Sequence, residues 1–510
     1  MNDGTQRRAS RRAFLRGGSA LFASAATFTA MGSGALWAGA PAVSLHPKAR
    51  PHDFHKRLVG GAEELINASG LRGRVAYAVA HVDSGLLLES RDSAVGLPPA
   101  SVMKTITALY ALEALGEAYR FKTRLAATGP ISGGVLQGDL VLLGGGDPTL
   151  DTDALADLVT QLKAAGVTRI TGRLHVFGGA LPYQREIDKG QPDHVGYNPA
   201  ISGLALNYNR VHFEWRRDGN SYGVAMDARS KTQRPAVTMA RVRVVNRAAP
   251  LFTYKDGGGR DDWTVASAAL GTRGSRWLPV RKPEIYAGEV LRALAHAKGV
   301  TLPAPAVTKS LPKGTVIAQV QSAELRVILR DMLKYSNNLT AEMCGLAATV
   351  ARDGRAVSIS ASANAMARWA EGALGMPRAK LVDHSGLGAA SRVQAGDLVR
   401  ALNAARKTTV LSTILKPVAM RHNNGKVNSA HPVKVRAKTG TLNFVSALAG
   451  YMTGPDGTEL AFVIFTADED ARARIARKDR ERPQGGGAWN KRSKRLQQKL
   501  IERWGTLYGS

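Results

Sequence analysis

Apolar and polar positions recur along this chain with two periods, and the periods place most of its elements. Arg74–Val82 reads as a strand, Asp83-Ser84-Gly85 as a turn and Leu86–Glu89 as the hairpin partner. After Pro98-Pro99-Ala100, the apolar positions Ile106, Leu109, Tyr110 and Leu112 recur at helical spacing and predict a helix from Ser101 to about Gly116. Near the far end, Val433–Thr439, Val445–Met452 and Leu460–Thr466 read as strands joined by short turns such as Gly454-Pro455-Asp456-Gly457. The last helix, about Ala488–Trp504, sets Trp489, Leu496, Leu500 and Trp504 on one stripe. Strands and helices from both ends are therefore expected to close into one antiparallel sheet flanked by helices, an α+β arrangement.

The long middle has a different texture. It mixes one helix, Ala154–Ala165, with many short strands such as Arg169–Val176 and Val211–Trp215. Turns fall at Asp218-Gly219 and Asp256-Gly257-Gly258-Gly259, and Asp256–Arg276 reads as an exposed polar loop. These features predict an inserted β-rich domain over 126–294. They leave 43–125 and 295–510 as the two parts of a discontinuous domain. No internal repeat is evident.

The first residues form a targeting segment. Arg7, Arg8, Arg11, Arg12 and Arg16 face a single acid, Asp3, and a mildly apolar, small-residue stretch from Gly17 to Trp37 follows. The pattern is that of a signal peptide over 1–42, with small residues offering a cut after Ala40 or after Ala42, the second favoured because the first would put Pro41 just past the cut. Ser10-Arg11-Arg12-Ala13-Phe14-Leu15-Arg16 makes it a twin-arginine leader, which predicts export to the periplasm. The alternative, an uncut membrane anchor, suits the stretch less, because it is short and weakly apolar for a span. Cys344 is the only cysteine, so no internal disulfide is possible, and its apolar helical setting marks it as core filler rather than a nucleophile.

Charge narrows the partners. The chain carries a formal net charge of +30, and residues 472–503 hold twelve Lys/Arg against three acids. Such an excess favours electrostatic contact with an anionic wall polymer or membrane surface, although the basic stretch can equally be a solvated face. Export argues against nucleic acid.

Three short motifs, in order, supply the candidate chemistry. Ser101-Val102-Met103-Lys104 opens the predicted helix, so the serine hydroxyl and the lysine amine lie on one face. Serine is a poor nucleophile until a neighbouring base takes its proton, and a desolvated amine beside other cations can be that base. Ser336-Asn337-Asn338 falls between two helical runs, Leu325–Met332 and Leu339–Ala348. There Ser336 can relay a proton to the leaving amine and Asn338 can bind the substrate backbone. Lys438-Thr439-Gly440 ends a strand and is the only Lys-[Ser/Thr]-Gly in the chain. An edge strand there would pair with an extended peptide. Lys438 and Thr439 would hold a terminal carboxylate, and Gly440 would let the substrate approach without a Cβ in the way. The N–H groups of Ser101 and Thr441 would form an oxyanion hole. Together the motifs are those of penicillin-binding proteins and class A β-lactamases. The chemistry calls for no metal and no cofactor.

Other matches are weaker. Ser310-Leu311-Pro312-Lys313 repeats the first motif, but Pro312 would break the helix it needs. Ser362-Ala363-Asn364 repeats the second without the turn. Gly219-Asn220-Ser221-Tyr222-Gly223 fits a nucleophile elbow, but its flanks are both strand-like, so a hairpin is expected. Asp383-His384-Ser385 has three triad residue types in succession, where side chains point apart. His52-Asp53-Phe54-His55 lacks a third metal ligand, and Gly144-Gly145-Gly146 lacks the Lys-[Ser/Thr] of a phosphate loop.

With these residues in place, the chain past residue 50 resembles the low-molecular-mass class C penicillin-binding proteins, the D-alanyl-D-alanine carboxypeptidase/endopeptidase family. The 235-residue distance from Ser101 to Ser336 exceeds that of the compact β-lactamases and matches this family's large insertion. Further matching pieces are Gly144–Leu150, Leu204–Asn209 and Ser385-Gly386-Leu387-Gly388. The resemblance implies a serine β-lactamase/transpeptidase-like fold and a Ser101 acyl-enzyme. The implied substrates are peptidoglycan stem peptides and cross-links, with β-lactam antibiotics as inhibitors. It also implies that Asp147 lies near the pocket for the free amine of the stem peptide's third residue. His384 departs from a usual Gly and Asn337 from a common Asp, and neither is expected to touch the chemistry. Two competing readings are a β-lactamase or esterase of the same chemistry, and a non-catalytic cell-wall-binding protein that kept the fold.

Overall fold

The computed structural model describes Lys56 and residues 59–510. The leader, residues 1–42, and the His52–His55 pair lie outside the described residues.

A five-stranded sheet joins the two ends of the chain. Its strands run in the order Lys434–Leu442, Val445–Thr453, Glu459–Ala467, Arg74–His81 and Leu87–Arg91, each antiparallel to its neighbour. Strand Arg74–His81 is apolar at nearly every position because both its faces are covered. Val75, Tyr77 and Val79 face one core, where the helices Ala62–Ala68 and Gly486–Tyr508 supply Ile66, Leu496, Leu500 and Trp504. The ring of Tyr77 lies 5.6 Å from that of Trp504. Ala76, Ala78 and Ala80 face the other core. Their small side chains let a helical layer approach, built from Met103–Leu115, Leu325–Tyr335, Asn338–Asp353, Ile359–Leu374 and Ala395–Thr408.

The helix behind the first motif is buried all round from Met103 to Ala111. A helix in that position carries no solvent-facing polar stripe, which fits its place inside a layer. It begins differently from the sequence expectation. Ala100–Val102 is a single 3-10 turn, and the α-helix proper starts at Met103.

The middle of the chain has its own apolar core, which includes Leu125, Leu158, Val176, Trp263 and Leu291. A mixed five-stranded sheet orders Pro305–Val307, Leu174–Phe177, Leu140–Leu143, Lys122–Ala127 and Thr315–Gln321. Helices Thr152–Ala164 and Pro283–Ala297 pack on that core, and three three-stranded sheets complete it. Three expectations need correction here. Strand Thr315–Gln321 pairs with Lys122–Ala127, and Pro305–Val307 pairs with Leu174–Phe177. Residues 295–321 therefore pair with the inserted part rather than with the sheet of the catalytic half. Asp256–Arg276 is not an open loop either. It holds strand Asp261–Ala266 and the start of strand Arg273–Pro279, with Trp263 and Val265 buried. The predicted strand Arg169–Val176 is broken into Arg169–Ile170 and Leu174–Phe177. Gly219–Gly223 is a hairpin, with Asp218 opposite Ser221. No helix among the described residues is long and apolar enough to cross a membrane.

Candidate active site

The three motifs meet at one cleft of about 560 Å3, lined among others by Ser101, Ser336, Asn338 and Thr441. Ser101 sits in the 3-10 turn, where residues three apart eclipse each other. Lys104 therefore stands over it. The Lys104 amine, wholly buried, donates to Ser101 Oγ at 3.0 Å, to Asn338 Oδ1 at 2.8 Å and to the Ser385 carbonyl at 2.8 Å. Burial lowers its pKa from 10.5 to about 8, against the opposing pull of Asp383 and Glu342. A neutral amine at this point gives up one of the three N–H bonds and can turn its lone pair to the serine proton.

Asn338 opens the helix Asn338–Asp353, and its amide orientation is fixed from both sides. Oδ1 accepts from Lys104, while Nδ2 donates to the backbone carbonyl of Tyr197 at 3.0 Å. Asn337 caps the same helix by accepting from the N–H of Thr340 at 3.0 Å, a role Asp would also fill. Ser336 closes the preceding helix in a left-handed conformation with φ of 60°. That kink turns its hydroxyl to Lys438 Nζ, which donates to it at 3.0 Å. Lys438 is also wholly buried. Burial first, then the neighbouring charges of Lys104 and Lys416, hold its pKa well below the usual lysine range.

Not every expected residue lines the cleft. Gly440 packs closely on the serine turn: a Cβ there would lie 3.0 Å from Ala100 Cβ and 3.0 Å from the Pro99 carbonyl. It presses the edge strand against the serine turn. Thr439 lines a second hollow of about 300 Å3, beside Lys416 and Lys494, while Thr441 lines the main cleft. Asp147 is not among the residues lining the cleft. It is buried, with its carboxylate accepting from the N–H and hydroxyl of Thr149 at 2.8 and 2.7 Å, and burial raises its pKa. Cys344 is buried and its thiol is pushed up by burial, as suits core filler.

Several cleft residues carry no motif in the sequence. Asp188, Gln191 and Tyr197 come from the inserted part, and Arg472, Arg480 and Glu481 from the basic C-terminal stretch. Behind Lys104 lie Glu342 and Asp383, both buried. A visible signal existed for Glu342: it is the lone acid in an apolar helical run, one turn after Asn338. Asp383-His384-Ser385 is no triad. Asp383 and Ser385 brace a loop, and His384 is buried and neutral, with its pKa lowered to about 3 by burial. Ser362, from the second Ser-x-Asn, is buried 2.8 Å from His384 Nε2 and does not line the cleft. Ser310–Lys313 lies in a coil with Leu311 exposed. In the inserted part His212, Glu214 and Asp227 cluster as metal ligands could, but Arg229 already bonds both acids at 2.8 and 2.7 Å.

Ser101 against the buried Lys104 amine, with a second serine–lysine pair facing it from an edge strand and a helix turn, is an arrangement suited to a serine hydrolase. The comparisons with known proteins narrow that class. Residues 62–482 match the model of the D-Ala-D-Ala carboxypeptidase 3 (S13) family, and the chain belongs to it. It is 30% identical over 452 residues to a D-alanyl-D-alanine carboxypeptidase of Actinomadura sp. (strain R39), a match that covers 82% of each chain. It is 28% identical over 491 residues to the carboxypeptidase DacB of Mycolicibacterium smegmatis, covering 90% of this chain and 92% of that one. In fold it is similar to penicillin binding protein 4 (dacB) from Haemophilus influenzae, with a TM-score of 0.69 at 20% identity, over 80% of this chain and 93% of that chain. The protein is thus a serine hydrolase on the fold expected from its sequence.

Proposed function

We propose that the chain is a D-alanyl-D-alanine carboxypeptidase and endopeptidase that works on peptidoglycan stem peptides and cross-links through an acyl-enzyme on Ser101. The observation that carries this reading is the Lys104 amine, 3.0 Å from Ser101 Oγ with its pKa drawn down to about 8. Lys104 takes the hydroxyl proton as Ser101 Oγ attacks the carbonyl of the penultimate D-alanine. The new C–O bond turns that carbonyl into an oxyanion, which the N–H groups of Ser101 and Thr441 receive. The C–N bond then breaks, and Ser336 passes a proton to the departing amine. Lys438, at 3.0 Å from Ser336, restores that proton. Thr441 and Asn338, which both line the cleft, hold the peptide on either side. Water then attacks the ester carbonyl and gives up a proton through Ser336 to Lys438, the C–Oγ bond breaks as Lys104 returns its proton to Ser101 Oγ, and the shortened peptide leaves as its acid.

A β-lactam presents the same carbonyl and a carboxylate, so it acylates Ser101 in place of the peptide. The twin-arginine leader places this work in the periplasm. The net charge of +30 assists contact with the anionic wall or membrane surface. Affinity for isolated wall material should then fall with salt, and a salt-independent affinity would sink that contact.

The mature protein and a Ser101→Ala variant are to be incubated with a fluorescent penicillin and run on a denaturing gel. A stable label on the parent alone is expected. Rapid hydrolysis of penicillin without label would favour the β-lactamase reading. Neither label nor hydrolysis would leave a non-catalytic wall-binding protein.

A further inference from the structure

The loop Asp383–Gly388 passes directly behind the reacting pair, and two acids hold it. Glu342 lies one helical turn after Asn338, so both project from one face of the helix Asn338–Asp353. Its two oxygens are divided between consecutive backbone donors: Oε1 accepts from the N–H of Ser385 at 2.9 Å, and Oε2 from that of His384 at 3.0 Å. Asp383 takes the next donors, accepting from Gly386 N–H at 2.8 Å and from Gly388 N–H at 2.6 Å. The product of this bracing is one fixed acceptor, the Ser385 carbonyl, at 2.8 Å from Lys104 Nζ.

We infer that Glu342 and Asp383 are positioning residues for acylation, which hold the Ser385 carbonyl so that Lys104 faces Ser101 and keep enough negative charge nearby for the amine to accept a proton. The inference rests on the acyl-enzyme reading above. Two requirements support it. The first is geometric. Lys104 has a flexible stem, and only three acceptors fix its head: Ser101 Oγ, Asn338 Oδ1 and this carbonyl. Were the loop to slip, the amine would lose one of three anchors and its aim at the serine. The second is electrostatic. Burying two carboxylates is costly, and neutral amide side chains could also offer oxygen acceptors to the loop. Their use lies in the charge. Burial alone favours the neutral amine, and the two acids oppose it. Without them Lys104 would be neutral but too weak a base to hold the serine proton. Burial, and for Glu342 the charge of Asp383, raises the pKa of each acid, so each proton held there weakens that opposition.

The test is the second-order rate of acylation by a fluorescent penicillin over about pH 6 to 10, with binding and acylation constants separated. Glu342→Gln keeps the size and one acceptor but removes the charge, and Asp383→Asn does the same on the other side. For each variant the acid limb of the profile should move to lower pH by about one unit. The plateau should fall about tenfold, with the loss in the acylation constant and not in binding. A purely structural role would lower the amount of folded protein without moving the limb. Folded variants with the parent's rate and limb would overturn the proposal, and so would a loss confined to binding. Failure of both variants to fold would assign the acids to stability alone and overturn it too. Absence of both label and penicillin hydrolysis with the parent chain would instead sink the acyl-enzyme reading on which the proposal rests.

Discussion

Lys104 is asked to be buried, three-fold hydrogen-bonded and intermittently neutral, and its environment meets all three demands. With a pKa of about 8 it is neutral in roughly one molecule in ten at pH 7. On the acyl-enzyme reading proposed above the deprotonated form is the base, so acylation should rise as pH rises through about 8 and then level. A stopped-flow profile with penicillin checks this, and a rate flat from pH 6 to 9 would refute it. His384 makes the opposite kind of prediction. It binds a proton at about 6.5 when exposed but only near 3 in the fold. The unfolded chain therefore holds more protons between those values, and stability falls as pH drops through that window, by about 1.4 kcal/mol per unit for this group. His384→Gln should flatten that part of the curve, which urea unfolding at several pH values would reveal. At this scale the sequence was most informative where residues sit three apart in a motif. Ser101, Lys104 and Asn338 share one hydrogen-bonded cluster, and Ser336 and Lys438 form a bonded pair of their own. Glu342 and Asp383 escaped because their partners are backbone N–H groups and a lysine far away in sequence, a relation no local pattern records.

At the scale of elements, glycines set the fit between the serine turn and its neighbours. Gly386 has φ of 76°, and a Cβ there would fall 1.8 Å from the Ala100 carbonyl. Gly386→Ala should therefore push the loop away from the turn, and the misfit should cost about 1–3 kcal/mol of stability. Penicillin labelling should fall more than the melting temperature suggests, because Ala100 adjoins the nucleophile. Full labelling with an unchanged melt would show that the loop has slack the packing does not reveal. Period was a good guide to elements that pack simply. The terminal hairpin, the three C-terminal strands and the last helix lie within a few residues of their predicted ends. It failed where pairing is distant. Thr315–Gln321 finds its partner at Lys122–Ala127, almost two hundred residues earlier, so nothing near it announces which half it joins. In Asp261–Ala266 the apolar alternation of Trp263 and Val265 was present but masked by the flanking Gly and Arg residues.

At the scale of the molecule, the basic C-terminal stretch has a definite place. Glu481 accepts from Arg276 at 2.8 Å and meets His194 Nε2 at 2.8 Å, while Arg477 pairs with Asp193 at 3.1 Å and Arg480 donates to the Gly190 carbonyl at 2.6 Å. Each of these joins the stretch after the last strand to the inserted part across one wall of the cleft. Hydrogen bonding to His194, with the charge of Arg276, holds the Glu481 carboxyl down at about 2, so the tie persists at any working pH. Its contribution to stability should still be small, because half-exposed ion pairs are worth about 1 kcal/mol or less. Its contribution to shape is larger, since Asp188, Gln191, Arg472 and Arg480 all line the cleft and depend on the two sides staying together. Glu481→Gln should accordingly leave the melting temperature nearly unchanged, hasten tryptic cutting between residues 472 and 482, and raise KM for a stem peptide several-fold with kcat preserved. An unchanged KM beside faster cutting would mean that the wall is passive. A fall in kcat with constant KM would mean that the tie reaches the serine turn itself, through Arg472 and its bond to the Asn443 carbonyl at the end of the edge strand.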